Sequence, residues 1–121
     1  MKEFLILRNT RELYCIDSTD MWYIEAIHNR SNFYLTNGYC FTLTMQLGKV
    51  AEAIDEYLPH HNDFRRIGQS LIININYLFH INLTEQQLEL YNKQNKNGIT
   101  LKAGKESLKK LKEELEKKKG K

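Results

Sequence analysis

The residues best suited to contact a nucleic acid lie in the segment 65–70, whose sequence is RRIGQS. Arginine is the usual bidentate partner of the guanine edge in the major groove, and glutamine can pair in the same way with adenine. Serine adds a hydrogen bond to phosphate, and glycine lets the backbone approach closely. Residues 65–70 therefore fit DNA contact, although a polar loop whose arginines only meet surface carboxylates is an alternative that the composition leaves open.

No arrangement of residues for catalysis or metal binding is visible in the sequence. The chain lacks a Gly-rich phosphate loop, a helix with paired histidines for zinc, and a nucleophile elbow, since Ser70 has no glycine two residues later. Cys15 and Cys40 are too far apart for a metal knuckle, and their apolar neighbours indicate that each packs as a small hydrophobe. We expect no enzyme activity, no metal and no cofactor.

Length and composition indicate one folded domain. The 121 residues are about the size of a single domain, and the content of 41% hydrophobic and 11% aromatic residues excludes intrinsic disorder. The longest unbroken apolar runs have four residues, whereas a membrane-spanning helix needs about 20. Because no signal peptide is visible at the N-terminus, we expect a cytoplasmic protein that does not contact a membrane.

The net charge of +3 is unevenly distributed along the chain. Residues 102–121 contain nine lysines and four glutamates, a balance of +5, whereas residues 1–101 contain nine basic and eleven acidic side chains, a balance of −2. A basic field attracts nucleic acid, but here that field is confined to the C-terminal segment. Any nucleic-acid site in the first 101 residues must therefore come from a few clustered cations.

The hydrophobic pattern predicts a mainly β chain with short helices. The runs typical of strands in the first half are residues 4–7, 13–16, 21–27, 32–36 and 39–43. Asn37-Gly38, which separates the last two runs, is a strong hairpin signal because both residue types tolerate positive φ. Residues 87–91 and 99–101 predict a second hairpin, while residues 71–73 fit either a strand or a buried helical turn.

Two helices are predicted from apolar residues that recur at steps of three and four. The mid-chain helix has its apolar face on Leu47, Val50, Ala51, Ile54 and Leu58. Pro59 ends this helix, because proline cannot continue the helical hydrogen bonds. The C-terminal helix has its apolar stripe on Leu108, Leu111 and Leu115, which we expect to dock on the domain.

Two short motifs, in this order, carry a resemblance to a known family. Residues 23–26 read YIEA, and residues 64–74 read FRRIGQSLIIN, with a polar loop, a hairpin and a leucine-bearing helix between them. This arrangement resembles the LytTR DNA-binding domain of bacterial transcription regulators, whose second motif is close to F-x-R-x-H-x-S-x-x-V-N. The resemblance implies a mainly β fold of small sheets packed side by side, with one mid-chain helix and a C-terminal helix.

The resemblance also implies the boundaries of the domain. It covers residues 21–115, with residues 1–20 as an N-terminal strand segment of the same domain and residues 116–121 as a Lys-rich tail. Only about 20 residues precede the match, so we expect no room for the phospho-acceptor domain that such regulators often carry upstream. The chain is then either a stand-alone regulator or one domain of a longer one.

Family members bind double-stranded DNA through loops instead of a recognition helix, commonly at direct repeats, and the resemblance implies the same here. The implied contact residues are Asn29, Arg30, Ser31 and Asn32 in a first loop, Arg66, Gln69 and Ser70 in a second, and Lys102 and Lys105 in a third. In the second loop we expect Gln69 to face the bases, with Arg66 and Ser70 nearer the phosphate backbone. Asn74 matches a family asparagine and is expected to be structural, tying backbone in a turn. Binding as a homodimer stays open.

Three departures from the family pattern keep a second interpretation open. Gly68 stands where the family usually has histidine, Gln69 stands where a cation is common, and residues 102–105 read KAGK where serine followed by arginine is usual. The balance of −2 over residues 1–101 also weakens attraction to phosphate. The alternative is a protein-interaction module of the same fold that has lost base readout and modulates a related regulator.

Overall fold

The computed structural model describes residues 3–59, 63–94 and 96–119, with the backbone alone described at residues 118 and 119. The chain divides into two compact units, Met1–Ile75 and Asn76–Lys121. Within the described residues, ten strands form three antiparallel sheets, and two α-helices accompany them. The predicted mainly β fold with a mid-chain and a C-terminal helix is therefore confirmed. No helix in these ranges is long and apolar enough to cross a membrane.

The first unit is built on a five-stranded antiparallel sheet. The elements of this unit are β1 (Phe4–Arg8), β2 (Leu13–Asp17), a short 3-10 helix (Ser18–Asp20), β3 (Met21–Ile27), β4 (Arg30–Leu35), β5 (Cys40–Leu43), α1 (Leu47–Tyr57), β6 (Phe64–Ile67) and β7 (Leu71–Asn74). The five-stranded sheet has the order β5-β4-β3-β7-β6, and β1 and β2 form a separate two-stranded sheet. Strand β3 is therefore the centre of the larger sheet.

Residues 71–73, which the sequence leaves between strand and helical turn, form a strand. β7 pairs with β3 on one side and with β6 on the other, so both neighbours satisfy its backbone groups. All four of its side chains are buried. A strand that is buried on both faces has a continuous apolar run instead of alternation, which is why the pattern alone does not separate the two possibilities.

The core of the first unit lies between the sheets and α1, which packs against β1. The buried core residues are Leu5, Leu7, Ile16, Met21, Ile24, Phe33, Leu43, Leu47, Val50, Ile54, Leu58 and Ile72. The predicted apolar face of α1 is confirmed, since four of its five members belong to this core and Ala51 packs against it. The amphipathic spacing of α1 thus fixes which side of the helix faces the sheets.

The predicted Asn37-Gly38 hairpin is confirmed, with a turn in which the two residues play different parts. The N–H of Gly38 donates to the Leu35 carbonyl at 3.1 Å, and the N–H of Leu35 donates to the Tyr39 carbonyl at 2.9 Å. Of the two turn residues, Gly38 alone has positive φ, at +92°. Asn37 instead accepts the N–H of Tyr39 through Oδ1 at 2.9 Å. The loop is therefore a three-residue turn that ends in a left-handed glycine.

The second unit is a three-stranded sheet followed by a helix. Its elements are β8 (Leu78–Asn82), β9 (Gln87–Asn92), β10 (Asn97–Lys102) and α2 (Lys105–Lys119), with the sheet in the order β10-β9-β8. The predicted second hairpin is confirmed as β9 and β10. Leu108 and Leu111 on α2 are buried, as the leucine stripe predicts. Residues 120 and 121 of the predicted Lys-rich tail lie outside the described residues.

The prediction that both cysteines pack as small hydrophobes is wrong. Cys15 and Cys40 are exposed. Side chains alternate along a strand, and the adjacent Tyr14, Ile16 and Phe41 take the inward positions. Tyr14 stacks on Phe41 with ring centroids 4.5 Å apart, which leaves the adjacent cysteine on each strand facing outward.

Replacing Gly38 by alanine is expected to lower the free energy of unfolding by about 1–2 kcal/mol, because a Cβ is disfavoured at positive φ. A Cβ at Gly38 would meet no other atom within 4 Å, so the effect comes from the backbone alone. The matched control is Gly48→Ala in the first turn of α1, where glycine is the poorer helix former and the change should stabilise by about 0.5 kcal/mol. Urea unfolding of both variants measures the change in the free energy of unfolding. Changes of the same sign in the two variants would contradict the turn assignment.

Tyr23 is expected to make the stability fall at high pH. Burial, with the nearby Tyr34 and Glu25 as smaller causes, raises the pKa of Tyr23 to about 12. The folded state therefore keeps the neutral phenol, so the stabilisation is complete below pH 10 and is lost as the pH rises toward 12. Thermal melts between pH 9 and 12 should show a smaller loss for Tyr23→Phe than for the unchanged chain. Tyr39→Phe, at an exposed tyrosine, is the control for the loss of one phenolic hydroxyl.

Candidate nucleic-acid interface

Two polar turns lie side by side at one end of the five-stranded sheet. The β3–β4 turn consists of residues 28 and 29, because Ile27 pairs with Arg30. The β6–β7 turn consists of residues 68–70, because Ile67 pairs with Leu71. Strand β3 is antiparallel to both β4 and β7, so the two turns project from the same end. We call residues 28–30 and 68–70 the polar end of the sheet.

A backbone hydrogen bond joins the two turns directly. The N–H of Ala26, near the end of β3, donates to the carbonyl of Ser70 at 2.8 Å. This bond extends the β3–β7 ladder by one residue beyond the last pair, Glu25 with Leu71. The distance between the two turns is therefore set by the sheet, which is more rigid than a free loop.

The first turn presents Asn29 and Arg30 to solvent. Both residues are exposed, and Arg30 is the first residue of β4. His28 precedes them with a φ of 58°, a conformation that histidine adopts more readily than most residues. The polar end contains no aspartate or glutamate, so Arg30 gives it a positive charge that no acid within these turns offsets.

The next two predicted contact residues are tied into the fold. Ser31 is fully buried, and its hydroxyl donates to the Met45 carbonyl at 2.6 Å. Asn32 is half-buried, and its Oδ1 accepts from the hydroxyl of Thr42 on β5 at 2.7 Å. These bonds hold β4 to the segment that leads from β5 into α1. The structure therefore brings Ser31 and Asn32 to the same sheet end, where the Ser31 hydroxyl is turned inward and the Asn32 amide is bonded to the neighbouring strand.

The second turn presents Gln69 and Ser70. Both are exposed, and Gly68 precedes them with a φ of 66°. Glycine adopts this left-handed conformation at a lower cost than a residue with a Cβ, so the backbone favours glycine at this position. The side chain of Gln69 thus projects from the tip of a turn that is anchored at both ends by strand pairing.

Arg66 lies on the side of the sheet that faces α1. It pairs with the core residue Ile72 across β6 and β7, so its side chain leaves the sheet on the same face. A Cβ at Gly48 would lie 3.9 Å from Nη1 of Arg66, which places the guanidinium beside the first turn of α1. Arg65 points to the opposite face, and its Nη1 donates to the Phe64 carbonyl at 3.1 Å.

Lys102 and Lys105 lie in the second unit, at the junction between β10 and α2. Both side chains are exposed. The N–H of Ala103 donates to the Gln86 carbonyl at 3.2 Å, and the N–H of Leu108 donates to the Gly104 carbonyl at 3.0 Å. The junction is therefore held by backbone bonds on both sides, and the two lysines flank it.

The motifs did not indicate that the start of α1 takes part in this arrangement. Met45 supplies the acceptor for Ser31, and a Cβ at Gly48 would lie at ordinary contact distance from Arg66. The bond to Met45 had no signal, since a backbone carbonyl is the same at every position.

Asn74 has a structural role, as expected, but it ties two strands and not a turn. Its side chain is buried, and Nδ2 donates to the Met21 carbonyl at 2.9 Å, which ties the end of β7 to the start of β3. This bond lies at the opposite end of the sheet from the polar turns. Asn74 therefore helps to fix the pairing of the two strands that carry those turns.

The fold is a mainly β domain in which two turns at one end of the five-stranded sheet present exposed polar residues. A family model, the LytTr DNA-binding domain, matches residues 11–116. The chain therefore belongs to the LytTr DNA-binding domain family. This family is a DNA-binding and not an enzyme family, and membership implies DNA binding and transcription regulation in general.

The solved structures include a chain with the same fold. It is a LytTr DNA-binding domain from Bacillus cereus, described as belonging to a response regulator. It superposes with a TM-score of 0.62 at 19% sequence identity, and the match covers 95% of this chain and 98% of that one. No curated protein matches the chain. The likeness supports the fold, while the family match carries the relation to DNA binding.

Replacing Ser31 by alanine is expected to lower the free energy of unfolding by about 1–2 kcal/mol. The change removes the hydroxyl that donates a hydrogen bond to the Met45 carbonyl. Ser70→Ala is the matched control, because Ser70 is exposed and surface changes usually stay within about 0.5 kcal/mol. Urea unfolding distinguishes the two, and equal effects would contradict the buried role of Ser31.

Proposed function

We propose that this chain binds double-stranded DNA in a sequence-specific manner through its turns and acts as a bacterial transcription regulator. One observation carries the proposal: the β3–β4 and β6–β7 turns lie next to each other, joined by the bond from Ala26 to Ser70, and both present exposed polar residues. Family membership supplies the ligand class. A rigid sheet end with two polar turns is suited to insert side chains into a groove without a recognition helix.

The nine contact residues take different parts in this proposal. Gln69 and Arg30 read base edges, because both are exposed at the polar end and both residue types form bidentate pairs with bases. Asn29 and Ser70 bind phosphate or sugar beside them. Ser31 and Asn32 support the first turn from within through their bonds to Met45 and Thr42. These supporting residues act on DNA binding through the turn that they hold.

Three cations supply phosphate contacts. Arg66 approaches from the side of α1, and Lys102 and Lys105 contribute from the β10–α2 junction of the second unit. Phosphate neutralisation provides most non-specific affinity for DNA. Since residues 1–101 carry a balance of −2, these positions matter more than the net charge of the chain. Binding is expected to weaken steeply as salt concentration rises.

The DNA site is expected to contain direct repeats, with one chain on each repeat or with two chains as a homodimer. This expectation follows the resemblance to the family. Regulation of bacterial genes places the protein in the cytoplasm, where the DNA is. The domain division over residues 1–20, 21–115 and 116–121 belongs to the same proposal, with the Lys-rich tail as an added source of positive charge.

A second candidate function is a protein-interaction module that keeps the fold and modulates a related regulator. Gly68 favours it, because this position usually carries histidine in the family and glycine offers no side chain for a base contact. The negative balance of residues 1–101 favours it as well. Under this function the polar end would contact protein, and no DNA sequence would be enriched.

Selection from sheared genomic DNA of the source organism, followed by sequencing, is expected to enrich a pair of short repeats. On the enriched site, Gln69→Ala should reduce discrimination at one base pair by about 1–3 kcal/mol, since it removes a bidentate base contact. Lys102→Ala should instead weaken binding to all sequences alike and reduce the slope of log affinity against log salt by about 1. Fluorescence anisotropy at several salt concentrations measures both effects.

The controls separate a lost contact from a lost fold. Arg65→Ala removes one positive charge next to Arg66 but on the opposite face of the sheet, so sequence discrimination should persist. Lys110→Ala, on an exposed site of α2, is the matched control for Lys102→Ala. If selection enriches no sequence and residual binding does not depend on salt, the DNA proposal is wrong. Co-sedimentation with a related regulator would then support the interaction module.

A further inference from the structure

The second unit contains a cavity, and none of the proposed DNA-contact residues belongs to its lining. It has a volume of about 310 Å³, and we call it the aromatic cavity. Its lining includes Tyr77, Phe79, Tyr91, Asn92, Lys93 and Gln94. A volume of this size lies at the lower end of the range for small-molecule sites, about 300–1,000 Å³. All its lining residues belong to the second unit, so one folded body forms it.

Two aromatic rings stand open to solvent at this cavity. Phe79 is 70% exposed and Tyr91 is 38% exposed, the former on β8 and the latter on β9. Their ring centroids are 5.8 Å apart and the planes are tilted by 52°, so the rings form two walls of a wedge instead of a closed stack. Exposed aromatic area of this kind is unfavourable in water and becomes favourable when a flat apolar group covers it.

The rim of the cavity is polar and positively charged. The turn after β9 carries Lys93 and Gln94, which are both exposed. The N–H of Gln94 donates to Oδ1 of the buried Asn92 at 3.1 Å, which fixes the start of this turn beside the rings. An ammonium and a primary amide are thus held next to two aromatic faces.

We propose that the aromatic cavity binds a nucleotide. A base would stack on Phe79 and Tyr91, since every base has a flat π-face that aromatic side chains can cover. The amide of Gln94 offers one donor group and one acceptor to the base edge. Lys93 neutralises the phosphate as a point charge. An apolar ligand would contact the rings but not the lysine or the amide, whereas a nucleotide can contact the rings, the amide and the ammonium together.

The nucleotide can come from two sources with the same chemistry, a free mononucleotide or an unpaired end of a nucleic acid strand. In either case the lining of the cavity shares no residue with the polar turns of the first unit. Its test does not depend on the proposed binding to double-stranded DNA, because the probes contain no duplex.

Isothermal titration of the full chain with AMP, GMP, CMP and UMP tests the proposal, and a single-stranded tetranucleotide identifies the source. We expect saturable binding of one molecule per chain for at least one probe. Phe79→Ala and Phe79→Leu should each weaken binding about tenfold, since both remove a stacking ring and the second keeps the apolar surface. Lys93→Ala should weaken binding of the nucleotide but not binding of the matching nucleoside, which has no phosphate.

Two controls and three outcomes decide the matter. Tyr39→Ala removes an exposed aromatic ring from the first unit, and Lys110→Ala removes an exposed lysine from α2, so neither should change nucleotide affinity. Tighter binding of the tetranucleotide than of any mononucleotide supports a strand end, and the reverse supports a free nucleotide. The proposal is overturned if no probe shows saturable binding, or if Phe79→Leu binds nucleotide as tightly as the unchanged chain does. It is also overturned if Phe79→Ala alters the sedimentation of the protein but not its affinity for nucleotide.

Discussion

The pairing of strand β3 on both of its edges is the constraint on which the rest of the first unit depends. Ile24 pairs with Phe33 of β4 on one side and with Ile72 of β7 on the other, and all three side chains are in the core. A slip of one residue would turn these side chains out of the core, so burial fixes the register. The bond from Asn74 to the Met21 carbonyl secures the far end. The polar turns inherit their position from this register.

The turns at the polar end combine a rigid frame with exposed side chains. Hydrogen bonds made by Ser31 and by the N–H of Ala26 hold the two turns from within. Gln69 and Arg30 point outward from that frame. Binding residues are commonly found on loops that a rigid scaffold positions, because loops can change sequence without loss of the core. Gly68 belongs to the frame alone, since its positive φ suits the turn and glycine has no side chain that could contact a ligand.

Charge in this chain acts through position and not through its total. The net charge of +3 combines a slightly acidic body with a basic C-terminal segment, and such a sum says little about DNA. At the polar end, Arg30 has no acid within the turns to offset it. The aromatic cavity follows the same logic on a smaller scale, because Lys93 lies beside the exposed rings of Phe79 and Tyr91. In both places the effect of a single cation depends on the residues that surround it.

The sequence by itself determined the local elements, because strand alternation, helix spacing and turn residues depend on neighbours a few positions away. The Asn37-Gly38 hairpin and the face of α1 are of this kind. Only the tertiary structure decided that residues 28–30 lie beside residues 68–70, that Ser31 is buried while Arg30 is exposed, and that Cys15 faces solvent. Those outcomes depend on contacts with other strands and segments, at separations from 14 residues for Ser31 and Met45 to 44 for Ala26 and Ser70, and no local pattern records them.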